Sequence, residues 1–536
     1  MSEVSTLWSF CVPFLEHFAG SILEEKLERS FQYDSANGED VLTDVDDVHE
    51  INSENVETDF TKSESKDFIF EEYTSYKCFN TRFSWKINRP SVTMSVVDSI
   101  IICSGIIFAG GIVIGGLSAI ILYISMNTAN LCHWLDDKDT NLPIRVENIR
   151  FASFVFGLPF VHCYSAIIFM LSFSWSLVKE HNLLLFCFFT TYLDVLYRLI
   201  LKVFNIYTYR SFQIPYPLNL LTFSLCLWNG YLISRSKFPN SKKMALKLSV
   251  RLILQFAFAF PVLYFVLYVI CPWYIKMPKA VIGRFLVVGT TGVILLLSKT
   301  VTRIIVSRLK GVVHPENSYI LVSFLYGSSA ITLRILQAEL EETSLFCLMG
   351  VAHGIVHLLE RASAPIVDYL LLRLYKACFR GRTFNRRRNN KYKTRRSQRF
   401  AADVSIQTII YESSALVISI AAFFFYKVSY NRLDPKQENH VAIEFLKRLL
   451  SGLLIEWFFN IVAVFVQTRY MNVAIFSVWK LKWRRHLLVA MVTLTMTLFC
   501  FPVYLLKIVR YQFKQQTEEW KHFSENCTEL PFSIKF

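Results

Sequence analysis

The side chains best suited to chemistry in this sequence are ionisable groups set inside long apolar runs. His353 and His357 stand four apart and Glu360 follows three later, giving H-x-x-x-H-x-x-E. On a helix the three share nearly one face, and two imidazoles with a carboxylate as third ligand are a donor set for zinc. The same spacing also serves a hydrogen-bonded packing pair or a proton-responsive pair. Asp194 and Arg198 are also four apart, so they are expected either to neutralise each other or to meet a charged substrate. Glu412 and Glu456 have no opposite charge on their own faces. Such carboxyls are the usual parts of proton or cation relays, the alternative being a bond to a neighbouring helix or pairing with Arg334. An ionisable side chain at the centre of a span costs about 2.5 to 3.5 kcal/mol on insertion scales, so each is a candidate functional residue.

The elements that must position these groups follow from composition. Of 536 residues 53% are hydrophobic and only 18% charged, whereas a soluble domain carries about 25% charged residues. A chain this long with so few charges cannot cover a water-facing surface, so it is expected to face lipid. A span needs about 20 mostly apolar residues. Segments that qualify are 97–126, 151–178, 182–204, 211–234, 252–275, 280–305, 317–334, 343–360, 404–426, 445–468 and 486–506. The expected fold is therefore all-α, a polytopic helical bundle of about eleven spans.

Loop charge gives the orientation. With the N-terminus in the cytoplasm, the loops on that side hold 27 Lys and Arg and the opposite loops 9, the bias of the positive-inside rule. The weakest segments are 317–334 and 343–360, and losing both as a re-entrant pair keeps the richest basic loop inside whereas losing one does not. An odd number of spans follows, with residues 507–536 extracellular or lumenal. That tail holds the sequon Asn526-Cys527-Thr528, which is glycosylated only on that side.

The net charge of +15 is unevenly placed. Residues 1–29 read as an interfacial or docking helix, and residues 30–96 as an acidic disordered tether with a basic lead-in. Asp34 to Asp67 carries twelve acids against two lysines, too little apolar surface to fold. Residues 97–360 form an eight-helix group, 361–403 a basic cytoplasmic loop and 404–506 a three-helix group. The block 380–399 has ten Lys and Arg and no acid. Arg386, Arg387, Arg388, Arg395 and Arg396 are expected to meet anionic lipid headgroups, and no nucleic acid partner is expected.

Twelve cysteines include no CxxC and most sit in apolar runs, so they read as small core residues. No P-loop, G-x-S-x-G or ring-type zinc cluster is present, and no catalytic motif is recognised. An HxxxH on a late segment with His162 and Asp194 on early ones resembles the membrane hydrolases that include the alkaline ceramidases. That family has a Ser four residues before the early His, where this chain has Leu158, and the resemblance is not carried further. The function expected is a carrier or channel for a small solute or ion, in the plasma membrane or an endomembrane, without a cofactor. The alternatives are an intramembrane lipid-modifying enzyme with zinc at His353, His357 and Glu360, and a membrane receptor or scaffold.

Overall fold

Inside a bilayer no water satisfies backbone N–H and C=O groups, so a spanning segment bonds them internally as a helix. The computed structural model describes residues 72–73, 88–125, 144–173, 175–204, 216–270, 281–307, 309, 313–340, 342–380, 395–430 and 435–500, and within them the chain is helical. Helix α1 is Val92–Ile107, continued through a π-helical stretch Phe108–Gly115 into α2, Gly116–Ser125. Then come α3, Ile144–Ser172; α4, Trp175–Glu180; α5, Leu183–Val203; and α6, Tyr216–Lys237. Helix α7, Lys242–Phe265, ends in a second π-helical stretch, Val266–Ile270, and is followed by α8, Val281–Ser307. A 3₁₀ turn, Pro315–Leu321, leads into α9, Ser323–Ala338; the rest are α10, Thr343–Arg380; α11, Arg395–Tyr430; α12, Pro435–Met471; and α13, Ile475–Cys500.

Among the described residues eight helices are long and apolar enough to cross a membrane, as an integral membrane protein has, and a ninth is reached if the 3₁₀ turn and α9 count as one bent span. The expected segments 211–234 and 486–506 fall on α6 and α13, which are helical but, over their described residues, are not among the eight. Helix α6 carries Asn219, Thr222, Ser224, Asn229 and Ser234, and α13 opens with Lys480, Lys482, Arg484 and Arg485. The interfacial helix, Arg386 to Arg388 and the tail 507–536 lie outside the described residues, as does the segment 30–96 apart from 72–73 and 88–96; there Ser477 Oγ donates to Glu72 at 3.1 Å and helix α1 already begins at Val92, short of the expected end of the tether.

Helix α9 is buried on every side along its whole length, and 78% of the apolar stretch of α11 is buried as well. These two make the centre. Their small polar residues are satisfied locally: Ser329 donates to Tyr326 O at 2.9 Å, Thr332 to Ser328 O at 2.8 Å and Thr408 to Val404 O at 2.8 Å. Such back-bonding lets hydroxyls sit in an apolar interior at little cost. Helices α5, α10 and α12 are peripheral and present Phe189, Leu359 and Leu454 outward. The basic segment does not divide the bundle in space, since α9 packs on α11 and α10 on α12.

The entry to α9 is clamped by polar bonds. Glu316 meets Arg399 at 3.5 Å and Lys482 at 3.1 Å, and Arg399 Nε donates to Asp403 at 3.0 Å. Asn317 Nδ2 donates to Ser172 O at 2.8 Å, and the His486 ring stacks on Tyr319 at 4.7 Å. The 3₁₀ turn therefore meets α9 at a fixed bend of 44°.

Glycine permits two close approaches that set the packing. The π-helical stretch presses Gly110 onto α11, where a Cβ would lie 2.9 Å from Ile410 Cα, and Ser414 Oγ donates to Gly110 O at 2.8 Å. On α10 a Cβ at Gly354 would lie 2.2 Å from the Phe459 ring. Gly289 and Gly292, by contrast, lie in continuous α8 with open space around them. Overpacking a filled interior costs about 1 to 3 kcal/mol. Gly110→Ala is therefore expected to lower the melting temperature of the detergent-purified protein, while Gly289→Ala leaves it within a degree or raises it, alanine being the better helix former. Equal effects at the two positions would contradict this packing.

Candidate functional site

The central helix delivers a cation to the bundle interior. Arg334, near the end of α9, is 1% exposed. Its Nε donates to Glu412 Oε2 on α11 at 3.2 Å, one Nη donates to Gln337 Oε1 at 2.6 Å, and the other bonds Glu456 Oε1 on α12. A planar guanidinium can serve three acceptors in a fixed fork, which an ammonium cannot do with the same geometry. Gln337 is anchored in turn, its Nε2 donating to Phe346 O at 3.0 Å. The second oxygen of Glu456 accepts from Asn460 Nδ2 at 3.4 Å, and Asn460 Oδ1 accepts from Arg361 on α10 at 2.7 Å.

Glu412 faces two imidazoles on its other side. His353 Nε2 lies 3.0 Å from Glu412 Oε2 and His357 Nε2 3.1 Å from Glu412 Oε1, with the two rings edge to face at 4.3 Å. The i, i+4 spacing read from the sequence thus brings both rings to one carboxylate. Glu360, expected as their partner, stands at the far nitrogen instead: its Oε2 is 3.5 Å from His357 Nδ1. Its Oε1 is 3.3 Å from Arg303 on α8, and Arg303 also donates to the Tyr326 hydroxyl at 2.9 Å and to Thr300 Oγ1 at 3.2 Å. The Lys299 ammonium lies over the Tyr326 ring at 5.0 Å.

Five helices, α8 to α12, therefore contribute to one buried network. It gathers the cations Lys299, Arg303, Arg334 and Arg361 with the carboxylates Glu360, Glu412 and Glu456. With neutral imidazoles these groups sum to one positive charge in excess. Glu412 and Glu456, expected to lack a cation on their own faces, find Arg334 on another helix. One atom each of His353, His357 and Glu412 lie within 4.8 Å of one another, so the group able to hold a metal includes Glu412 rather than Glu360.

Asp194 and Arg198 belong to a different assembly, built from α3, α5 and α6. Asp194 Oδ1 accepts from Arg198 Nε at 2.5 Å and Oδ2 meets His162 Nε2 at 2.9 Å, while Thr222 Oγ1 is 3.4 Å from His162 Nδ1. The i, i+4 pair is self-neutralising and ties three helices together. Arg396 donates to Val313 O at 2.7 Å and Leu309 O at 3.4 Å, so its guanidinium holds the loop before the 3₁₀ turn. Arg395 opens α11, and Asn526 lies outside the described residues.

Sequence reasoning missed Lys299, Arg303, Arg361, Gln337 and Asn460. Lys299 and Arg303 stand four apart near the end of a span, where long cations ordinarily snorkel to the headgroups. The signal that distinguishes them is Glu360, a carboxylate near the end of its span that needs a counter-ion from a neighbouring helix.

Removing one member of a buried ion pair leaves the other uncompensated, at a cost of about 3 to 5 kcal/mol. Glu456 is the partner to remove with Arg334, because Glu412 keeps its imidazoles. Arg334→Leu alone is expected to destabilise strongly, and Arg334→Leu with Glu456→Leu to recover part of the loss, a coupling of at least about 1 kcal/mol. Thermal unfolding of the four proteins of the cycle in one detergent measures it, and strictly additive losses would contradict the pairing.

No family model, curated protein or solved structure matches this chain, so its functional reading rests on the network itself.

Proposed function

We propose that this chain is a multi-pass membrane carrier or channel for a small ion or solute, with its route along the network of α8 to α12. The observation that favours this reading is the wholly enclosed, bent element made by the 3₁₀ turn and α9, which holds Arg334 between Glu412 and Glu456. Broken helices enclosed by neighbours are where carriers bind substrate and coupling ions. Buried charges in a bilayer mark ion routes more often than they mark stability, because their desolvation is only partly offset by pairing.

The chemistry available is exchange of partners. A proton or cation that takes Glu456 frees that Nη of Arg334, which retains Glu412 and Gln337. The imidazoles of His353 and His357 beside Glu412 are further proton acceptors on the same path. Because Glu456→Gln leaves the neutral pair Arg334–Glu412 intact, it is expected to fold while slowing the flux. In proteoliposomes the wild type should dissipate imposed proton, sodium or potassium gradients faster than empty vesicles, and Glu456→Gln at least tenfold more slowly than wild type. Wild-type vesicles as tight as empty ones to all three ions would contradict an ion route, and unchanged flux in Glu456→Gln would remove that carboxylate from it.

The orientation proposed with this function is an eleven-span bundle with a cytoplasmic, disordered acidic N-terminal tail and a non-cytoplasmic C-terminus bearing glycan at Asn526. The loop bias of 27 to 9 supports it. The basic segment 380–399, Arg386 to Arg388 above all, then faces anionic lipids of the inner leaflet at about 1 kcal/mol per residue near the surface. In sealed cells a tag before Met1 should be inaccessible and one after Phe536 accessible from the exoplasmic or lumenal side. Both tags on one side would mean an even number of spans.

A further inference from the structure

We propose that His353, His357 and Glu412 form a binding site for a divalent transition metal of the zinc class, with one coordination position left to an exchangeable ligand. The site stands independently of the carrier reading.

The donor set is the first argument. Two imidazoles and one carboxylate suit zinc and its neighbours, whereas calcium and magnesium take oxygen ligands. Geometry is the second. Zinc binds nitrogen and oxygen at about 2.0 to 2.2 Å, so adjacent ligand atoms of a tetrahedral site stand about 3.3 to 3.6 Å apart. The imidazole nitrogens of His353 and His357 lie 3.0 and 3.1 Å from the two oxygens of Glu412, and one atom from each of the three residues lies within 4.8 Å of the others, so side-chain rotation that draws the set together would admit the ion.

The unmet polar atoms are the third argument. Glu412 is 1% exposed, and its Oε1 accepts no hydrogen bond although His357 Nε2 is only 3.1 Å away. The two atoms stand at ion-pair distance, and a metal ion set between them would bind both.

The surroundings are the fourth. Ligating histidines usually turn their other nitrogen to a carboxylate that fixes tautomer and ring orientation. Glu360 stands nearest that place, 3.5 Å from His357 Nδ1 without yet bonding it, and is itself held by Arg303. On this arrangement Glu360, which sequence spacing offers as a ligand, is a positioning residue.

One contact opposes the ion. Arg334 Nε donates to Glu412 Oε2 at 3.2 Å, which weakens that oxygen as a donor. The opposition is reduced because Arg334 also binds Glu456 and Gln337. Since the network already carries an excess positive charge, the fourth ligand selected should be anionic: hydroxide, a carboxylate or a phosphate.

The test uses full-length protein purified in detergent, stripped with chelator and shown to be monodisperse. Titration with zinc should show one equivalent bound, and cobalt(II) should develop the strong visible bands of a four-coordinate ion. His357→Ala should abolish both signals. Glu360→Gln, which leaves the three ligands in place, should weaken binding about 10- to 100-fold. Folded wild type with no stoichiometric zinc and no cobalt spectrum would overturn the site, as would His357→Ala binding like wild type. Unchanged affinity in Glu360→Gln would overturn its positioning role, and the wild-type cobalt spectrum decides the site even if His357→Ala does not fold. Zinc binding by protein that carries no ion flux would leave this site standing and remove the carrier reading; flux without zinc binding would do the reverse.

Discussion

A guanidinium in the interior of a membrane bundle has to be surrounded by acceptors, and Arg334 sets that demand for this chain. Burying one unpaired charge costs several kcal/mol even after relaxation, more than any single apolar contact returns. Its three acceptors come from its own helix, from α11 and from α12. Arg334 therefore ties α9 to two helices far along the chain, and α9 can reach them only by lying inside the bundle. The bend into α9, the clamp of Glu316 by Arg399 and Lys482, and the close seat of Gly110 on α11 are all means of holding that central position.

The same demand explains why polar residues accumulate around α9. Once Glu412 is held by Arg334 it can draw imidazoles from α10, and once Glu360 follows His357 on that helix it requires Arg303 from α8. Each charge brings in the next, until five helices share one network. Such a network has alternatives built into it, because Glu360, Glu412 and Glu456 each meet more than one donor. The second assembly is smaller, with Asp194 alone joining Arg198 and His162.

Much of this was legible in the sequence. Apolar runs of span length marked the helices, since lipid imposes both the length and the composition. The ionisable residues stood out against them, so His353, His357, Glu360, Arg334, Glu412 and Glu456 were all visible before any coordinates. Pairing of Glu412 and Glu456 with Arg334 was one reading the sequence offered, but it could not be decided there, because Arg334 and Glu412 are 78 positions apart and Arg334 and Glu456 are 122 apart, and no periodicity reports which helices touch. Arg361 was placed in a loop because a charge normally ends a span; α10 instead continues to Arg380, and Arg361 turns inward to Asn460. The expected segments 211–234 and 486–506 are described only in part, over α6 from Tyr216 and α13 up to Cys500, and those parts alone are not among the eight helices apolar enough to cross a membrane.

The claim on which the account depends is that Arg334 lies inside the membrane bundle between the carboxylates of α11 and α12. Electron cryo-microscopy of the full-length protein in lipid nanodiscs, at a resolution that shows side chains, tests it directly. The account predicts the Arg334 guanidinium within hydrogen-bonding distance of both Glu412 and Glu456, with α9 enclosed by protein along its length. Density placing Arg334 toward lipid headgroups or bulk water, with the two carboxylates on other partners, would contradict it.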